Sequence, residues 1–113
     1  MGITRIIMDE IEALKEEVIT AIKTVYDPEI PVDVYELGLI YDIQITSLTH
    51  HVFIEMTLTS PACTVGQGLP GQVKAAVSQQ VKGIRSVHVE LTFEPPYTQF
   101  MMSEAARLEL GFM

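Results

Sequence analysis

Along Asp9 to about Val25, apolar residues recur at three- and four-residue steps (Ile11, Leu14, Val18, Ala21, Ile22, Val25), while Glu10, Glu12, Lys15, Glu16 and Lys23 fill the intervening positions. That period predicts an amphipathic helix with one buried stripe. Asp9 followed by Glu12 has the spacing of a capping box and predicts the helix start. Tyr26-Asp27-Pro28-Glu29-Ile30-Pro31 must then turn, because each proline lacks an N–H and pushes its predecessor out of the helical region.

The period then changes to two. Leu39 to Ile45 is β-branched and aromatic, and from Val52 to Leu58 the residues Val52, Ile54, Met56 and Leu58 alternate with Phe53, Glu55 and Thr57. The short polar stretch Thr46 to His51 between them predicts a hairpin. A second helix is expected from Gln67 or Leu69 to Val81, stopped by Lys82-Gly83. Val87, Val89, Leu91 and Phe93 mark a third strand ended by Pro95-Pro96, and a last helix runs from Ser103 to Leu110 and closes at Gly111. The order α-β-β-α-β-α predicts an α+β, two-layer sandwich with a three-stranded sheet and helices mainly on one face. Strand order is open at this point, since periodicity does not say which neighbour the third strand takes. Residues 1–8 are expected to be an N-terminal extension and 9–113 one domain.

Composition narrows the chemistry. Of 113 residues, 48% are hydrophobic, enough for one core, and 7 Lys+Arg against 15 Asp+Glu leave a net charge of −8. Scattered basic residues in an acidic chain argue against nucleic-acid binding, which needs clustered cations at the phosphates. No apolar run reaches the ~20 residues of a membrane span, and the N-terminus lacks the apolar core of a signal peptide, so a cytoplasmic location is expected. The single cysteine, Cys63, excludes an internal disulfide and a self-contained four-thiolate metal site.

Cys63 lies in Thr59-Ser60-Pro61-Ala62-Cys63, between a buried strand and a helix start, where free N–H groups and the helix dipole favour a thiolate. A small buried hydrophobe is the competing reading. Asp27, Glu29 and Asp33 put three carboxylates on a Pro-stiffened loop, suited to a metal, a thiol or simply backbone capping. His50 and His51 in the hairpin turn and His88 on a polar strand face read as surface residues, and Phe100, Met101 and Met102 as packing or a dimer contact. Gly66-Gln67-Gly68-Leu69-Pro70-Gly71 lacks the lysine of a phosphate loop. No nucleophile–base set emerges, so a conventional enzyme is not expected; a thiol hydrolase using Cys63 with His88 or His51 is the weakest of the readings.

Asp27-Pro28-Glu29-Ile30-Pro31 with Leu37-Gly38-Leu39-Ile40-Tyr41, then Thr59 to Cys63, then Glu94-Pro95-Pro96-Tyr97, and last Met102 to Arg107 with Leu110-Gly111, resemble in order and spacing the iron-sulfur cluster assembly domain family that includes SufT, PaaD and the eukaryotic cytosolic iron-sulfur targeting factor. The resemblance implies a small α+β maturation factor that assists cluster assembly or delivery to apo-clients. It implies Cys63 as the functional thiol, Thr59 and Ser60 as the polar pair before it, and Asp27 and Glu29 as the acidic loop that shapes the site. The chain departs from the family pattern at Thr64, Glu94 and Tyr97, where proline, aspartate and tryptophan are usual. With no cysteine-rich C-terminal region, the chain looks SufT-like and not PaaD-like. One thiolate does not hold a cluster that takes about four protein ligands. The expectation is therefore a transient cluster or iron, none held stably by the monomer, with three routes open: a homodimer, ligands from a client or scaffold, or thiol exchange without retained iron. The alternative is a protein–protein adaptor whose cysteine is structural.

Overall fold

The computed structural model describes residues 2–27, 30–59 and 68–111, with 2–9 described by their backbone alone. Helix α1 spans Gly2–Ile22 and is followed by strands β1 (Ile40–Ile45) and β2 (His51–Met56), helix α2 (Leu69–Gln80), strand β3 (Ser86–Leu91), a 3₁₀ turn at Gln99–Met101 and helix α3 (Glu104–Glu109). The α+β order read from the periodicity is the observed one. The start of α1 is corrected: Asp9 lies inside the helix and does not cap it. Ile3 and Ile7 continue the four-residue step back from Ile11, and no proline or glycine interrupts them.

The sheet order is β1-β2-β3, with β1–β2 antiparallel and β2–β3 parallel. A parallel pair needs a crossover, and α2 supplies it. The alternating residues Val52, Ile54 and Met56 of the central strand are at most 1% exposed and meet Val18 and Ile22 of α1 and Leu69, Val73 and Val77 of α2 in one core. Helices α1 and α2 cover this face of the sheet. Ser103 caps α3, its hydroxyl accepting from the Ala106 amide at 3.1 Å, and Ala106 is buried.

The long connection from α1 to β1 folds back on itself, Val34 N donating to Val25 O at 2.9 Å and Asp27 N to Val32 O at 3.3 Å. Its Leu37 and Leu39 are fully buried. Between them Gly38 holds φ +81°, a left-handed conformation that favours glycine. A Cβ at Gly38 would also collide with the backbone carbonyl of Met101, so this glycine lets two connections touch.

The hairpin histidines are more fixed than the surface reading implies. Each is half-buried; His50 Nδ1 lies 3.0 Å from the Gly83 carbonyl, and His51 Nδ1 contacts the Ser86 hydroxyl. They tie the β1–β2 turn to the α2–β3 turn. Met102 enters the core, whereas Phe100 is 76% exposed.

Gly38→Ala is expected to cost roughly 3 kcal/mol, since strain and a backbone clash add. Gly83→Ala, at φ +86° with no atom near a Cβ, should cost only about 1 kcal/mol. Urea unfolding of both variants measures the difference, and equal losses would contradict the close approach at Gly38.

Candidate functional site

The strand pairing decides where the motifs meet. Ile40 at the start of β1 pairs with Met56 at the end of β2, and Met56 pairs with Leu91 at the end of β3. The chain therefore enters β1, and leaves β2 and β3, at one end of the sheet. The connections before β1 and after β2 and β3 carry the Asp27 loop, the Thr59-to-Cys63 segment and Glu94-Pro95-Pro96-Tyr97.

Hydrogen bonds lock them together. Thr57 N donates to Leu39 O at 2.8 Å, Thr92 N to Met56 O at 2.8 Å, and Ser103 N to Glu36 O at 2.8 Å. The Tyr97 hydroxyl, half-buried, donates to Leu37 O at 2.6 Å.

The β1–β2 register shifts between Ile40 and Asp42, leaving Tyr41 as the extra residue. A bulge re-aims its side chain. The Tyr41 hydroxyl donates to Pro95 O at 2.8 Å with Met101 Sδ 3.4 Å away, joining the entry of β1 to the exit of β3. Burial raises the Tyr41 phenol above its ordinary value, partly offset by a hydrogen bond with the fully buried Thr57. Burial pushes the Tyr97 phenol up to about 12, helped by the charges of Tyr41 and Asp27. That influence sets Asp27 within electrostatic reach of Tyr97.

Asp27 is nearly buried, and its Oδ1 accepts from Ile30 N at 3.0 Å. Asp33 Oδ2 accepts from Tyr35 N and Glu36 N, each at 3.0 Å. Both carboxylates therefore cap backbone, the structural role weighed for this loop. Thr59 follows the buried Leu58 at the mouth of the β2–α2 connection, which returns at Gly68, the N-cap of α2. Glu29, Ser60 and Cys63 lie outside the described residues. Among the described residues no three His, Cys, Asp or Glu side chains form a group able to hold a metal ion.

The histidines sit elsewhere. His50 and His51 mark the start of β2, a strand length of about 17 Å from the end where the Thr59 segment departs. His88 lies midway along β3, its ring 5.4 Å from that of Phe53 on the face away from the helices. Of the motif residues identified from sequence, Asp27, Thr59 and Tyr97 belong to connections that reach this sheet end, while Glu29, Ser60 and Cys63 are outside the described residues. Tyr41 and Thr57, which cross-link that end, went unrecognised because a bulge leaves no mark in a two-residue period.

A model of iron-sulfur cluster assembly proteins matches residues 15–91. The chain belongs to this family. It is 46% identical over 99 residues to an Fe-S protein maturation auxiliary factor of Porphyromonas gingivalis, covering 88% of this chain and 92% of that one. It is 38% identical to the Fe-S protein maturation auxiliary factor YitW of Bacillus subtilis, covering 88% and 96%. A crystal structure of a domain of unknown function from Bacillus anthracis superposes with a TM-score of 0.83 at 30% identity, covering 90% and 95%. The matched region spans the Asp27 loop, the Cys63 segment and all three strands.

The Tyr97 environment generates a pH dependence. Its folded pKa, about 12, exceeds the ordinary 10.0, so the folded state holds the proton more tightly than the unfolded chain. This contribution to stability is complete below pH 10 and is lost as pH rises toward 12. Tyr97→Phe should weaken that alkaline loss and remove the last-ionising tyrosine from a 295 nm titration. At neutral pH it should cost about 1–2 kcal/mol through the unpaired Leu37 carbonyl. An unchanged alkaline profile would contradict the buried contact.

Proposed function

We propose that the chain is a maturation factor for iron-sulfur proteins, assisting cluster assembly or delivery to apo-clients without catalysing a reaction of its own. The observation carrying this reading is the 46% identity, over nearly the whole chain, to a protein named as a maturation auxiliary factor. The convergence of the Asp27, Thr59 and Tyr97 connections at one sheet end supports a shared working surface. The cluster is cargo, and the partners are the assembly machinery and its apo-clients, in the cytoplasm. Among the described residues no helix is long and apolar enough to cross a membrane.

Cys63 is the functional thiol in this proposal. Its segment precedes α2 in the sequence, and a thiol brought to the first-turn N–H groups of that helix would be favoured as the thiolate. Thr59 and Ser60 precede it in the sequence with two hydroxyl groups, and Asp27 and Glu29 are the site-shaping carboxylates in this proposal. A single thiolate leaves most of a cluster's iron sites to other ligands, from a second copy, a scaffold or a client. Such a cluster exchanges readily: one Fe–S bond to Cys63 breaks as one to a client thiolate forms, and the client's thiol proton passes to solvent. An incompletely held cluster suits transfer better than storage.

Anaerobic reconstitution with iron and sulfide, followed by transfer to an apo-ferredoxin, tests the role of the thiol. Cys63→Ala should lose the visible sulfide-to-iron absorption and slow transfer at least tenfold, while its far-ultraviolet circular dichroism is unchanged. Equal transfer by the two proteins would overturn the assignment and favour an adaptor with a structural cysteine.

A further inference from the structure

The sheet has two faces, and among the described residues helices cover one of them. On the other, the register aligns Gln44, Phe53 and His88 in one row across the three strands, and Asp42, Glu55 and Glu90 in the next. All six are exposed, Phe53 by 49%, and a shallow depression of about 170 Å³ lies between Phe53 and the three carboxylates. Among the described residues no helix or loop lies over this face.

The acidic row is anomalous as structure. Like charges directly opposite on neighbouring strands, about 4.8 Å apart, weaken a sheet. Here two such pairs share Glu55, and the three strands contain no lysine or arginine. The groups facing the row are the Gln44 amide, which donates to Asp42 at 2.8 Å, and His88, whose Nε2 stands 3.9 Å from Glu90 and compensates charge only when protonated. An exposed phenyl ring beside uncompensated carboxylates matches a guanidinium group, which pairs with carboxylates and stacks on aromatic faces.

We propose that this open sheet face docks a basic, arginine-bearing segment of a partner protein, with Phe53 as the central anchor and Asp42, Glu55 and Glu90 as the charge complement. Two copies of this chain would oppose acidic rows, which argues against self-association through the face. The acidic row adjoins the sheet end formed by Ile40, Met56 and Leu91, Glu55 being one residue before Met56, but it lies on the open face; the proposal makes no use of the thiol chemistry and stands or falls without it.

The test is fluorescence anisotropy with a labelled twelve-residue peptide of alternating arginine and serine, at low and physiological salt. D42N/E55Q/E90Q should weaken binding about tenfold, while E12Q/E16Q/E17Q, which removes the same charge from exposed positions of α1, should change it less than twofold. Phe53→Ala should weaken binding about threefold while leaving the salt dependence unchanged. The triple strand variant should also melt higher than wild type, since its like-charge pairs are gone, which separates lost binding from lost fold. Equal weakening by the strand and helix variants would reduce the effect to net charge and overturn the proposal. So would no measurable binding, or sedimentation of wild type as a dimer that buries Phe53.

Discussion

The parallel pairing of β2 with β3 is the constraint on which the rest depends. Parallel strands leave the sheet at the same end, and the antiparallel β1 enters there, so the β1 entry and the β2 and β3 exits share one end. The helix α2 that makes the crossover also seals the core, with Leu69, Val73 and Val77 buried against the central strand. A register slip of one residue would move Val52, Ile54 and Met56 to the open face and expel the core. Burial of these three residues therefore fixes the site's position as well as the fold.

What the crossover brings together, a few polar contacts then hold. Tyr97 reaches the α1–β1 connection through Leu37, Tyr41 reaches the β3 exit through Pro95, and the Gly38–Met101 approach closes the gap between them. Both phenols are partly desolvated, which is why they resist ionisation and why their hydroxyls are dependable donors near neutral pH. The α1–β1 connection and the connection leaving β3 thus form a braced unit.

The fold was largely legible because its elements differ in period. The four-residue steps of Leu14, Val18 and Ile22 and the alternation of Val52, Ile54 and Met56 mark helix and strand without reference to anything distant. Strand order was not legible, since pairing β3 with β2 depends on contacts across a whole crossover. The start of α1 was misplaced because Asp9-to-Glu12 has capping spacing, while the apolar steps run on through Ile7 and Ile3. Of the candidate residues, Asp27 and Thr59 fall at the shared sheet end. The bulged Tyr41 and buried Thr57 went unseen because only tertiary contacts reveal them. The acidic row is a further case: Asp42, Glu55 and Glu90 are far apart in sequence and become neighbours only through register.

If Cys63 carries cluster as proposed, one thiol per chain means that the cargo is shared, and iron stoichiometry by species tests that most directly. After anaerobic reconstitution in thiol-free buffer, size-exclusion chromatography with light scattering and iron and sulfide analysis should find cluster only in species holding more than one chain, or this chain with a client. A monomer carrying a stable cluster would contradict the account.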